Sequence, residues 1–189
     1  NNYNSLKSIF PEQLSEVSAN NFYQAANNVK PSLIRTNADE LTYHLHVLIR
    51  FEIEKSLIEG SISVNNLPSI WNAKYKEYLG IDVPSVSKGV LQDIHWSHGS
   101  FGYFPTYTIG SFYAAQFYNQ ALNDIPNLEN EIEEGNMKNL LDWLRKNIHQ
   151  HGKRYDAQEL CIKVTGVKLD FKYFMDYVKE KYTEIYSLK

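Results

Sequence analysis

One cysteine, Cys161, in a chain of 189 residues cannot close an internal disulfide, so the sequence points to a reducing compartment and to a fold held by its apolar core. An excess of positive charge is also missing. With 19 Lys and Arg against 22 Asp and Glu the net charge is -3, and no basic tail changes it, which excludes a sequence-blind nucleic-acid binder. Long apolar runs are absent as well: stretches such as Val47-Leu48-Ile49 fall far short of the roughly 18 residues a membrane-spanning helix needs, so no membrane is expected. No charged-then-apolar leader marks a signal peptide, and a cytoplasmic location follows as the expectation. The segment Asn1 to Phe10 lacks an initiator Met and a periodic apolar face, which reads as a cut end. No internal repeat, low-complexity tract or Pro/Ser linker divides residues 1–189, so a single helical unit is expected, and 22.0 kDa is enough to bury a core without metal or disulfides.

What the chain does have is aromatic residues: 14 Tyr, 9 Phe and 3 Trp against 9 Gly. Two uses fit that supply, a core built from large rings or a groove lined with phenols.

Periodicity favours helices throughout. Pro11 to Leu14 and Ser18 to Ala26 read as short helical segments, the second capped by Ser18. Thr36 as a hydroxyl cap, with Asp39 and Glu40 as first-turn acids, precedes a long helix carrying Leu41, Leu45 and Leu48 and ending at Ile58 before Gly60. Ser61-Ile62-Ser63-Val64 alternates briefly, enough for a short strand or an extended linker. Pro68 suits the first turn of a helix that Gly80 stops. Gly110, Ser111, Ala114 and Ala115 make one helix face nearly flat, and the expectation there is a buried helix that another backbone approaches closely. Pro126 and Gly135 bound a short acidic helix; Met137, Leu140, Leu141, Leu144 and Ile148 form the next stripe. Asp156 with Glu159 forms a capping box for a helix ending near Gly166, and Phe171, Phe174, Met175, Val178, Tyr182 and Ile185 line the last one. The class is mainly α, multi-helix, with at most a short strand or two.

Six histidines invite a metal search, and the spacings answer it. His44 and His46 are two residues apart on a helix, a rotation of about 200°, so their rings face opposite ways. His149 and His151 share that spacing near a helix end, where imidazole commonly caps carbonyls. No His-Glu-x-x-His occurs, so the chain lacks the standard helix-borne zinc pair. The dense polar segment is Gly89 to Tyr107. Asp93 could accept from the ring N–H of His95, fixing its tautomer, while Tyr103 and Tyr107 could aim phenol protons at a developing oxyanion; a buried polar knot that satisfies loop backbone fits the same residues. Arg35, just ahead of a helix, suits bidentate binding of a carboxylate, or an ion pair with Asp39 or Glu40.

Three blocks carry a resemblance. Ile34-Arg35-Thr36-Asn37-Ala38-Asp39 matches Ile-Arg-x-x-Ala-Asp, Gly89 to Trp96 matches Gly-x-x-Gln-Asp-x-His-Trp, and Gly102-Tyr103-Phe104-Pro105-Thr106-Tyr107 follows in order. With Ile148 to Gly152 and Lys181 to Tyr186, the chain resembles the M32 family of zinc metallocarboxypeptidases, the thermostable carboxypeptidase 1 type, over nearly its whole length. The resemblance implies a neurolysin-like zincin catalytic domain of which this is the C-terminal portion. It also implies a cytoplasmic enzyme, homodimeric when full-length, that removes residues from peptides with a free C-terminus. The zinc ligands of such an enzyme lie in His-Glu-x-x-His and His-Glu-Ser-Gln blocks upstream of everything present here. Zinc is therefore expected in the full-length enzyme, with no metal ligand in this chain, no activity of this chain alone, and the remainder of the catalytic domain as its partner. Carried onto this sequence, Arg35 is the candidate for gripping the substrate carboxylate, and His95 and Tyr103 for stabilising the oxyanion. Tyr107 is a second phenol, Gln92 and Asp93 orient these groups, and His98 matches the His-x-x-x-Gly-Tyr spacing of the related thimet-type oligopeptidases. The alternative from another class is a non-catalytic helical module that binds peptides or a partner through an aromatic groove.

Overall fold

A computed structural model describes residues 2–188. Ten α-helices follow one another among the described residues: α1 (Tyr3–Ile9), α2 (Pro11–Leu14), α3 (Ala19–Ala26), α4 (Thr42–Ile58), α5 (Leu67–Leu79), α6 (Pro105–Asp124), α7 (Leu128–Glu133), α8 (Lys138–Asn147), α9 (Ala157–Thr165) and α10 (Lys172–Tyr186). No strand occurs among the described residues. Where the alternation at Ser61 to Val64 allowed one, a 3-10 turn forms over Val64–Asn66, because four residues with no partner strand leave the ladder donors and acceptors unpaired. The mainly α class holds. No helix among the described residues is long and apolar enough to cross a membrane.

The chain forms two compact units, residues 24–109 and residues 1–23 with 110–189. Both boundaries fall inside helices, α3 and α6, which is why no Pro/Gly/Ser linker marks them in the sequence.

In the 24–109 unit, α4 and α5 bury Ile49, Ile53, Trp71, Tyr75 and Leu79 together. The start of α4 is set by Asp39, whose Oδ1 accepts from the backbone N–H groups of Leu41 and Thr42 and whose Oδ2 accepts from Thr42 Oγ1 and the Lys30 N–H. Asp39 therefore takes the capping role that the sequence offered to Thr36, which lies instead in a 3-10 turn over Arg35–Asn37. Burial works to raise the Asp39 carboxyl, but these donors outweigh it and hold the group below the usual carboxylate range. Gly80 ends α5 with a φ of 70°, the left-handed stop that glycine takes without strain.

In the other unit, Ser18 Oγ caps α3 at Asn21 N–H, 3.1 Å. Asp156 and Glu159 form the expected capping box on α9, and Phe174, Val178, Tyr182 and Ile185 are the buried stripe of α10. Ala121, Leu128 and Trp143 form a second core with Leu140 and Leu144 packed on it. Gln116 of α6, 1% exposed, gives its amide hydrogens to Thr165 Oγ1 at the end of α9 and to the Lys168 carbonyl in the loop that follows, and accepts from the Asp170 N–H. The flat face of α6 departs from expectation: Gly110 and Ala114 are exposed, and a Cβ added at Gly110 meets nothing within 4 Å. Ala114 and Ala115 line an open groove of about 660 Å³ with Tyr23, Tyr118, Tyr173 and Tyr177. Small residues permit a close approach; they do not enforce one.

Candidate functional site

All the candidate residues lie in the 24–109 unit, and three local devices bring them together. The first is helical spacing. His46, Arg50 and Glu54 recur at i, i+4 and i+8 along α4, so one face of a buried helix carries three polar side chains, each at most 3% exposed. The second is the tight turn after the 3-10 segment Val86–Lys88. A Cβ at Gly89 would lie 2.8 Å from Val83 Cγ1 and 3.2 Å from the Ser85 carbonyl, so only glycine lets the chain pass and deliver Gln92 and Asp93 to that face. The third is the loop before α6, where buried Phe104 packs its ring, tilted, with its centre 4.3 Å from that of His95.

At the centre stands Asp93. Its Oδ1 accepts from Arg35 Nε at 3.0 Å and Nη2 at 2.7 Å, and its Oδ2 accepts from Arg50 Nε at 2.7 Å. Arg35 therefore pairs with Asp93 rather than with Asp39 or Glu40. Gln92 reinforces both cations: its Oε1 accepts from the Arg35 backbone N–H and from Arg50 Nη2, and its Nε2 donates to the carbonyls of Leu33 and Lys88. The Arg35 guanidinium also donates to Tyr43 Oη at 3.0 Å and lies 5.2 Å from the Tyr107 ring centre. Burial raises the Asp93 carboxyl, but the Arg35 hydrogen bonds and the Arg50 charge outweigh it and keep Asp93 below the usual range. Arg35 is raised in turn, burial being overcome by Asp93.

Arg50 has no exposed surface, and the sequence reading did not single it out. The stripe read along this helix, Leu41, Leu45 and Leu48, lies on the opposite face, where Leu48 is 38% exposed; the buried face carries Ile49 and Ile53 beside His46, Arg50 and Glu54. Glu54 accepts from the Trp96 indole at 2.7 Å and from the Gly102 backbone, and burial, opposed by these donors, raises it. His46 meets Tyr75 Oη through Nδ1 at 3.0 Å.

His95 is placed differently from the proposed Asp93 bond. Its Nδ1 is 4.0 Å from Asp93 Oδ1, beyond hydrogen-bond length, because that oxygen is drawn to Arg35; its Nε2 instead meets Tyr107 Oη at 2.9 Å. Burial lowers His95, with Asp93 opposing and Arg35 assisting, so the ring is neutral at pH 7. Nε2 and the Tyr107 hydroxyl share one hydrogen bond, and with the ring proton on Nε2 the imidazole is the donor of the pair. Tyr103 is 50% exposed, its ring edge-on to Tyr107 at 5.3 Å and 6.0 Å from His95. His98 is exposed, its Nδ1 2.9 Å from Ser100 Oγ and its ring 6.0 Å from that of His95.

His44 and His46 do face apart, the first bonding Thr108 Oγ1 at 3.0 Å and the second buried against Tyr75. Among the described residues no three His, Cys, Asp or Glu side chains are grouped closely enough to hold a metal ion.

A buried Arg-Asp-Arg cluster beside a His-Tyr pair and a half-open phenol offers fixed positive charge and hydrogen-bond donors, the chemistry that suits an anionic ligand. Comparison with known proteins gives the family of the chain. The profile of the family described as Carboxypeptidase Taq (M32) metallopeptidase matches residues 1–182. Carboxypeptidase 1 of Bacillus subtilis (strain 168) is 42% identical over 186 residues, covering 98% of this chain and 37% of that protein. Thermostable carboxypeptidase 1 of Thermus thermophilus is 43% identical over 174 residues, covering 92% of this chain and 34% of that protein. The crystal structure of the M32 carboxypeptidase from Deinococcus radiodurans R1 matches with a TM-score of 0.95 at 41% identity, over 99% of this chain and 38% of that one. The chain belongs to the M32 metallopeptidase family. It spans little more than a third of the length of the relatives it matches.

Proposed function

We propose that this chain is the C-terminal part of the catalytic domain of a zinc-dependent metallocarboxypeptidase that removes residues from peptide C-termini, and that it supplies the groups that hold the substrate. The observation that carries the reading is the buried Arg35-Asp93-Arg50 cluster, which holds two guanidinium groups against one carboxylate next to His95 and Tyr107. Arg35 spends three N–H groups on Asp93 and Tyr43 and keeps one on each terminal nitrogen, the pair that a carboxylate accepts from end-on. In this reading Arg35 binds the terminal carboxylate of the peptide. His95 and Tyr103 donate hydrogen bonds to the oxyanion that forms at the last peptide bond, with Tyr107 holding the His95 ring and serving as second phenol. Gln92 and Asp93 act on Arg35, and His98 borders the same cluster on its exposed side. In this reading the zinc is held by ligands elsewhere in the full-length protein, whose remainder is the partner of this chain. The full-length enzyme is proposed to be cytoplasmic and homodimeric.

The test is Arg35→Ala in the full-length protein, assayed on peptides with a free C-terminal carboxylate and on their C-terminal amides. The expected result is a loss of roughly a hundredfold in kcat/KM on the free acids, with a much smaller change on the amides. Equal losses on both would make Arg35 a structural residue and overturn the reading.

A further inference from the structure

Arg50 cannot touch a ligand. It has no exposed surface, and its guanidinium donates to Asp93, to the His46 carbonyl at 2.7 Å, to Gln92 Oε1 at 2.9 Å and, more weakly, to Tyr75 Oη at 3.4 Å. Its faces are covered too, by the Trp71 ring at 4.6 Å and the Phe104 ring at 5.3 Å. Whatever it does for a ligand must pass through Asp93.

We propose that Arg50 is a positioning residue that consumes half of the Asp93 carboxylate, so that Arg35 keeps a positive charge that no protein group cancels and that a ligand bearing one carboxylate neutralises. This inference rests on the reading of Arg35 as the carboxylate-binding residue.

The charge count makes the case. Two guanidinium groups face one carboxylate, which leaves the cluster at +1. No other carboxylate among the described residues bonds either guanidinium: Glu54 is turned to Trp96 and the Gly102 backbone, Asp39 to the N–H groups of Lys30, Leu41 and Thr42 and to Thr42 Oγ1, and His46 is a neutral imidazole. Burying an uncompensated charge costs several kcal/mol, a cost that a purely structural pair would avoid by matching one Arg to one Asp. The excess reaches the surface only through Arg35, which retains 7% exposure and two unused N–H groups, whereas Arg50 retains neither. Were Arg50 absent, Arg35 and Asp93 would be a neutral pair with little pull on an anion, and an incoming carboxylate would compete with Asp93 for the same fork.

The experiment compares a blocked dipeptide carrying a free C-terminal carboxylate with its amide, on the full-length protein, as the ratio of kcat/KM values. Arg50→Gln removes the charge, and the acid-to-amide preference is expected to fall by ~10-fold or more, chiefly through KM of the acid. Arg50→Lys keeps the charge and should hold the preference within a few-fold. The double variant Arg50→Gln/Asp93→Asn returns the cluster to +1 and should recover a measurable part of the preference lost in the single variant. A structural role predicts the opposite, since a second deletion in a damaged core compounds the first. An unchanged preference in Arg50→Gln, or no recovery in the double variant, overturns the proposal. If Arg50→Gln does not fold, Arg50→Lys decides: a collapsed preference in that variant, with its circular dichroism intact, equally overturns it. Failure of the underlying reading has a separate sign, which is an acid-to-amide preference that Arg35→Ala leaves unchanged.

Discussion

His95 Nε2 lies 2.9 Å from Tyr107 Oη, while its Nδ1 is buried without a hydrogen-bond partner and 4.0 Å from Asp93. The phenol therefore holds the ring more firmly than the carboxylate does. Two phenols consequently separate by role. Tyr103→Phe removes a half-exposed hydroxyl and keeps the ring, so in the full-length enzyme turnover should fall by roughly a hundredfold, as for loss of one oxyanion donor, with the melting temperature unchanged. Tyr107→Phe should also shift the pH profile of kcat/KM, because it removes the partner of His95 Nε2, and should cost about 1 kcal/mol of stability in denaturant titration. A drop in stability for Tyr103→Phe with turnover intact would return this segment to a structural polar knot.

Gly89→Ala tests the turn that delivers Gln92 and Asp93. The added Cβ meets Val83 Cγ1 at 2.8 Å and the Ser85 carbonyl at 3.2 Å, and the backbone contact cannot yield as a flexible side-chain tip would. A loss of about 1–3 kcal/mol is expected from urea unfolding, the range for overpacking, with a larger effect on the acid-to-amide preference than surface substitutions give.

Most of the helices are legible in the sequence because their signals are local: Pro68 and Gly80 around α5, Asp156 and Glu159 opening α9, and the 3.6-residue stripe of α10. The site is legible as a set of residues through its motifs, and not as a geometry. Asp93 lies two positions before His95 in the chain, which suggested that one serves the other, yet the carboxylate turns to guanidinium groups 58 and 43 positions away. Arg50 was hidden because a fully buried Arg looks like a solvated one until its partners are known, and its side-chain partners Asp93, Gln92 and Tyr75 are long-range. The α6 stripe shows the converse failure, small residues that permit a contact being read as evidence of one.

Gln116→Leu isolates a long-range link that no periodicity predicts. The apolar side chain fills the same volume but strands the Asp170 N–H and the Lys168 carbonyl, which now pair with the amide. Stability should fall by about 2–4 kcal/mol, the penalty for leaving two such groups unsatisfied, and hydrogen exchange should rise first in the loop between α9 and α10. A loss below about 0.5 kcal/mol would mean that water replaces the amide freely.

His46 sets the acid limit. Burial, joined by the charges of Arg50 and Arg35, pushes its pKa down to about 4 from an ordinary value near 6.5. The folded state therefore holds this imidazole neutral over a range in which the unfolded chain binds the proton. Stability is complete above about pH 6.5 and falls as the pH drops toward 4, with a slope of one proton and a total on the order of 3 kcal/mol. Asp93 adds a second loss at lower pH: its depressed pKa makes its contribution present above the unfolded carboxylate value near 4 and lost as the pH falls further. Denaturant unfolding between pH 4 and 7 should show this dependence, and His46→Gln, which cannot titrate, should remove up to one proton from the slope while Tyr75 keeps a hydrogen-bond partner. An unaltered slope in that variant would assign the acid sensitivity to His44 and His95, whose pKa values burial also lowers.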